Sequence, residues 1–172
     1  PITIKTRSQV VTATNGGKYE PMEKEATWET TQTAVIIVDM WDDHWCPNAA
    51  KRVTEMAKPM NKVIKLAREK GMLIIHAPSS TVDFYKGTLA RKRSINAPSA
   101  SPPKPLSKDV RWGTNWCWPD KFRETELPID DSDMGCDCEK EFPIREAWTR
   151  QIETIEIDDE SDAMTDNGQE AY

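Results

Sequence analysis

The apolar positions of this chain fall into short, sharply bounded runs separated by long polar stretches. The first strong run is Ala34-Val35-Ile36-Ile37-Val38, mostly β-branched and ending abruptly at Asp39. A continuous run of this kind predicts a strand buried on both faces, as in a parallel sheet. After Cys46-Pro47 the spacing changes. Val53, Met56, Ala57, Met60, Val63, Ile64 and Ala67 recur at three- and four-residue intervals, which predicts a helix with one apolar stripe. Pro47 suits its first turn and Gly71 the position just past its end, whereas Pro59 predicts a kink or a second helix start. Met72-Leu73-Ile74-Ile75 then gives a second strand that runs into His76. Strand, helix and strand with tight connections make a βαβ unit, expected to cross over right-handed.

On either side the pattern weakens. Ile2, Ile4 and Val10-Val11 alternate with polar residues and predict an edge strand or an extended arm, with Asn15-Gly16-Gly17 as a turn. Residues 1–32 thus read as an N-terminal arm and 33–172 as the domain proper. From about 77 to 150 the periodicity fades. Pro98, Pro102, Pro103, Pro105, Pro119, Pro128 and Pro143 crowd the stretch, and Trp112, Trp116, Trp118 and Trp148 punctuate it. Disordered segments are poor in aromatics, so this reads as a long insertion packed over one face of the sheet. Ile152, Ile155 and Ile157 suggest a third strand. Asp166 and Gln169 stand at capping-box spacing, yet the sequence stops at Tyr172. A one-turn helix is marginal, so the pattern predicts a fold incomplete at its C-terminus.

Composition narrows the classes. At 172 residues the chain is long enough for one domain with a core, with 37% hydrophobic and 30% charged residues. A net charge of -6 argues against a nucleic-acid backbone binder, and Arg91, Lys92 and Arg93 read as solvated surface. No apolar run approaches the roughly 20 residues that span a bilayer, so no membrane partner is expected. The compartment stays open. Cys46, Cys117, Cys136 and Cys138 are too unevenly placed for a disulfide scaffold and miss the paired C-x-x-C spacing of a structural zinc site.

Candidate chemistry collects after the strands. Asp39 stands at the carboxyl end of a buried strand, where open α/β sheets place their ligand crevice, although a helix-cap or loop role is as plausible from position alone. His44 and His76, the only histidines, fall on the same side as substrate-binding candidates or as ordinary hydrogen-bonded residues. Cys46 precedes a helix N-terminus, which favours thiolate, but a lone cysteine is more often buried filler. The acidic stretch Asp130-Asp131-Ser132-Asp133 does not match an EF-hand, and Trp112, Trp116 and Trp118 could form a ligand platform or simply pack the insertion.

Thr33-Ala34-Val35-Ile36-Ile37-Val38-Asp39-Met40-Trp41 resembles the opening of isochorismatase-like cysteine hydrolases, a family that includes isochorismatases and nicotinamidases. The pieces Asp42-Asp43-His44-Trp45-Cys46 and Leu73-Ile74-Ile75-His76-Ala77-Pro78-Ser79 are similar to a branch with a long insertion. So are Ile129-Asp130-Asp131-Ser132-Asp133, Trp148-Thr149-Arg150-Gln151 and Asp166-Asn167-Gly168-Gln169-Glu170. The resemblance implies a three-layer, Rossmann-like parallel sheet and hydrolysis of a small amide- or ester-like substrate. A cysteine thiolate would attack, with an aspartate and a lysine completing the triad. The aspartate maps onto Asp39, and Trp41, His44 and His76 become substrate-binding candidates. The family nucleophile would follow a later strand, beyond Tyr172, and Asp158, Asp159 and Glu160 stand where the lysine is expected, so the chain as given should be inactive. Lys121 and Lys140 are substitutes without an assigned role. The metal-binding Asp-x-His pair of nicotinamidases has no counterpart in Ser79-Ser80-Thr81-Val82-Asp83, so neither zinc nor a cofactor is expected. The family's habits imply a homo-oligomer. A binding module on a degenerate hydrolase scaffold is the alternative.

Overall fold

A computed structural model describes residues 1–12, 16–100 and 136–172. The readings made on Trp112, Trp116, Trp118, Cys117, Lys121 and residues 130–133 lie outside these residues. The described residues form two units, Pro1–Glu29 and a second made of Thr30–Ala100 with Cys136–Tyr172.

The first unit is an antiparallel pair, β1 (Ile2–Val11) and β2 (Tyr19–Trp28), registered from Ile2 opposite Trp28 to Val11 opposite Tyr19. The expected arm is therefore a hairpin. Gly16 and Gly17 at its turn take φ of 62° and 79°, a region open to glycine without a Cβ penalty. Pro21 is tolerated because, among the described residues, β2 pairs on one side alone and leaves an edge where a missing N–H costs no ladder bond. Glu23 of β2 pairs with Arg7 at 2.7 Å and with Lys5 at 3.4 Å across the ladder.

The second unit is a mixed α/β assembly built on a small parallel sheet of order β3-β4-β5. β3 (Ala34–Val38) and β4 (Leu73–Ala77) pair from Ala34 opposite Leu73 to Val38 opposite Ala77. Between them runs α1 (Pro47–Glu69), one helix that continues through Pro59. Pro59 lies on its exposed side, and no second helix starts there. The C-terminus of α1 closes as the spacing predicts. Gly71, at φ 82°, donates to the Arg68 carbonyl (2.9 Å) while Met72 donates to Ala67 (3.1 Å), a Schellman turn that feeds the chain straight into β4.

Burial of the helix stripe is narrower than its spacing suggests. Ala57, Asn61, Ile64 and Ala67 are buried, whereas Val63 is 65% and Leu66 51% exposed. The sheet is likewise covered unequally. Partners in a parallel register share a face, so Ile37 and His76 lie together, as do Ile36 and Ile75. Arg68 of α1 and His76 both reach Asp162, which puts the helix over the His76 face. On the other face Ile36 is 52% and Val38 59% exposed, so β3 is not the doubly buried strand its sequence predicts.

The third strand is also displaced. The segment with Ile152, Ile155 and Ile157 is irregular, and Ile155 donates back to the Ile152 carbonyl at 3.0 Å in a turn that buries its own side chain. The strand is β5 (Ala163–Met164), pairing with Ile75 and His76 of β4. The stretch after 77 holds a short 3-10 turn (Val82–Tyr85) and α2 (Leu89–Ile95), whose Ala90 joins Tyr85 and Met164 in a small core. The last element is α3 (Gly168–Ala171), capped by the Asn167 side chain rather than by Asp166, whose carboxylate instead accepts from the Ser80 amide at 3.0 Å. No described helix is long and apolar enough to cross a membrane.

Candidate functional site

The loops at the carboxyl ends of the three parallel strands are laced together. Asp39, the first residue past β3, donates its amide to the Ala77 carbonyl (3.1 Å) and takes φ 52°. Its Oδ1 accepts from the Ser79 amide at 3.0 Å, and the Trp41 indole N–H donates to the Ser79 carbonyl at 3.1 Å. Ser80 follows at φ 66° and donates to Asp166, just past β5. Asp39 and Ser80 are the described non-glycine residues with positive φ. Each such residue holds a conformation costing on the order of 1 kcal/mol, and such outliers concentrate at functional sites. Oδ2 of Asp39 takes no hydrogen bond among the described residues, and the side chain is half-buried.

A second loop closes over the first. Ile152 donates to the Met40 carbonyl (2.8 Å) and Asp42 to the Arg150 carbonyl (2.9 Å). The Asp42 carboxylate returns the contact by accepting from the Thr149 amide (2.8 Å), the Thr149 hydroxyl (2.7 Å) and the Arg150 amide (3.2 Å). Partial burial would raise its pKa, but these donors outweigh that and hold it below the usual carboxylate range. The result sets Trp148 flat on Trp41, with ring centroids 4.1 Å apart and planes 7° apart, and His44 stacks on Trp148 at 5.4 Å. Within the described residues the Trp148 indole N–H is buried without an acceptor.

His44 is neutral in this setting. Burial lowers its pKa, and its Nδ1 accepts from the Cys46 amide at 3.0 Å, which leaves the ring hydrogen on Nε2. His76 is placed quite differently. It has no exposed surface, its Nδ1 faces Gln151 Oε1 at 3.0 Å and its Nε2 faces Asp162 Oδ2 at 3.0 Å. Both ring nitrogens are thus engaged inside the protein, tying β4 to the loops around it. Asp162 also receives Arg68 at 2.6 Å and the Asp158 amide at 2.8 Å. Burial would raise the Asp162 pKa. The hydrogen bonds from His76, Arg68 and Asp158 overcome that and hold it far below the usual carboxylate range.

Comparison of the chain with family models, curated proteins and solved structures gives no match.

Of the sequence candidates, Asp39, Trp41 and His44 come together at the strand ends, and His76 sits beneath them in the core. Trp148 joins them, although in the sequence it belongs only to a tryptophan-rich stretch and to a piece of the family resemblance, neither of which marks it as a site residue. Arg91 and Arg93, taken as solvated surface, instead hold structure. Arg91 pairs with Glu170 at 2.5 Å, and Arg93 donates to the carbonyls of Asp162 and Glu160. No lysine follows β5, where the chain reads Thr165, Asp166, Asn167.

The cysteines hold the largest surprise. Cys46, immediately before α1, is 1% exposed, and its Sγ lies 2.8 Å from Cys136 Sγ and 3.8 Å from Cys138 Sγ. Burial raises the Cys46 pKa, but hydrogen bonds from Cys136 and from the amides of Ala49 and Asn48 bring it down overall. Cys136, which shares that hydrogen bond, is pushed up to about 11. No motif spacing could link these thiols, because about 90 residues separate the helix start from its partners.

Proposed function

We propose that this chain carries the acid/base half of a cysteine hydrolase of the isochorismatase type, acting on a small amide- or ester-like substrate. One observation carries the reading. Asp39 lies at the carboxyl end of a parallel strand in a left-handed conformation, with Oδ1 anchored by the Ser79 amide and Oδ2 left without a partner among the described residues. An acid/base needs that combination, one oxygen fixing the orientation while the other moves a proton. The neighbouring Trp41, Trp148 and His44 rings supply an apolar wall for a small planar group.

The nucleophile is not assigned to Cys46, which is buried against two other thiols. On this reading the attacking thiolate belongs to a cysteine placed after a further strand, as the family resemblance implies. The three-layer, Rossmann-like arrangement belongs to the same proposal, with the exposed face of Ile36 and Val38 as the place for the third layer.

The test uses the full-length gene product and a panel of small primary amides and esters, with mass spectrometry of the quenched reaction. A thioester adduct on one cysteine, whose formation slows in Asp39→Asn, is the expected result. Ligand-induced change in tryptophan fluorescence with no adduct and no turnover would contradict it. That outcome would support the second reading, a binding module that uses the stacked Trp41 and Trp148.

A further inference from the structure

Two segments far apart in sequence bring three thiols to one point. The Sγ atoms of Cys46, Cys136 and Cys138 all lie within 4.8 Å of one another. The geometry points to a zinc site formed by these three cysteines, with one coordination position left for water or an exogenous donor. This inference is independent of the hydrolase reading.

Zinc bound to thiolates at about 2.3 Å in a tetrahedron sets the sulfur atoms about 3.8 Å apart. The Cys46–Cys138 separation is already 3.8 Å. The Cys46–Cys136 pair at 2.8 Å would have to open by about 1 Å to meet the same tetrahedral edge. A disulfide would use two of the sulfurs and leave the third thiol idle, whereas one soft cation engages all three. An all-thiolate donor set also excludes calcium and magnesium, which take oxygen ligands.

The surroundings hold the cluster in place. Asp137, between the two later cysteines, receives Arg52 of α1 on its carboxylate at 2.7 Å and Asn48 on its carbonyl at 3.2 Å. These contacts strap the Cys-Asp-Cys segment onto the first turns of the helix that Cys46 precedes. Three thiolates and a divalent zinc leave one net negative charge, faced by the N-terminal end of α1. His44 stays outside the ligand set in this geometry. Its Nδ1 is occupied by the Cys46 amide, so Nε2 carries the hydrogen and has no lone pair to offer.

Cobalt(II) titration of the reduced, chelator-treated full chain under anaerobic conditions tests the site. One equivalent should give intense thiolate-to-cobalt absorption, abolished by stoichiometric zinc. Zinc should also protect Cys46, Cys136 and Cys138 from alkylation in the unaltered chain, a readout that needs no variant to fold. Arg52→Ala, which removes one of the two strapping contacts and no ligand, should weaken cobalt binding by about 2- to 5-fold. Absence of thiolate-to-cobalt absorption, or equal alkylation of the three thiols with and without zinc, would overturn the site. So would full-strength binding that persists in Cys46→Ser and in Cys138→Ser.

Discussion

Asp39 and His76 both stand at strand ends, where the sequence points to the ligand crevice, yet their surroundings oppose each other. Asp39 is half-buried with a carboxylate oxygen free of partners among the described residues, while His76 is sealed between Gln151 and Asp162. The sequence could not separate them, because the partners of His76 lie 75 and 86 residues away. Asp162 is the hub of that buried network. Asp162→Ala removes the carboxylate that both Arg68 and His76 pair with, and should destabilise the protein by about 3–5 kcal/mol in urea unfolding. The same residue predicts an acid limb. Its folded pKa lies below the ordinary value of about 3.9, so its contribution is full above that pH and declines as the pH falls through the folded value. Stability should therefore fall below about pH 4 in the unaltered protein, and less steeply in Asp162→Asn. Parallel acid limbs in the two proteins would contradict this assignment.

Among elements, the clearest were those that satisfy their own local rules. The β-branched run of β3, the apolar spacing of α1, its Pro47 start and its Gly71 stop are all written in consecutive residues, and each stands in the structure. β5 was illegible because two residues carry no periodicity, and its place comes from pairing with Ile75 and His76. Ile152, Ile155 and Ile157 mimic strand alternation, but a turn at Ile152 aims Ile155 inward without a ladder. β2 is hidden for the opposite reason, since its charges and Pro21 mask a strand exposed on much of its length. The helix offers a direct contrast. Ile64→Ala, at a site 2% exposed, should cost about 2–5 kcal/mol, while Val63→Ala, at a site 65% exposed, should stay within about 0.5 kcal/mol. Equal losses at the two positions would show that the buried face of α1 has been misassigned. β1 and β2 are exposed along much of their length while Ile74 and Ile75 are buried, so amide hydrogen exchange in β1 and β2 should outpace that of Ile74 and Ile75 in β4.

At the scale of the whole molecule, function is read from where chain segments converge rather than from any one of them. The loops after β3, β4 and β5 meet around Asp39, Ser79 and Asp166, and the loop carrying Trp148 folds over Trp41. The cysteine cluster forms by the same kind of convergence at the start of α1. Because zinc would bind the folded chain, it should raise the thermal midpoint, by the equivalent of about 2.7 kcal/mol at a hundredfold excess over its dissociation constant. A midpoint indifferent to zinc would speak against the site. The proposed acid/base role of Asp39 stands or falls on kcat/KM of the full-length gene product against that of Asp39→Asn on the best small amide or ester. If Asp39 moves the proton, the variant loses about 10²- to 10⁴-fold with its fold intact by circular dichroism. Equal values for the two proteins would contradict it.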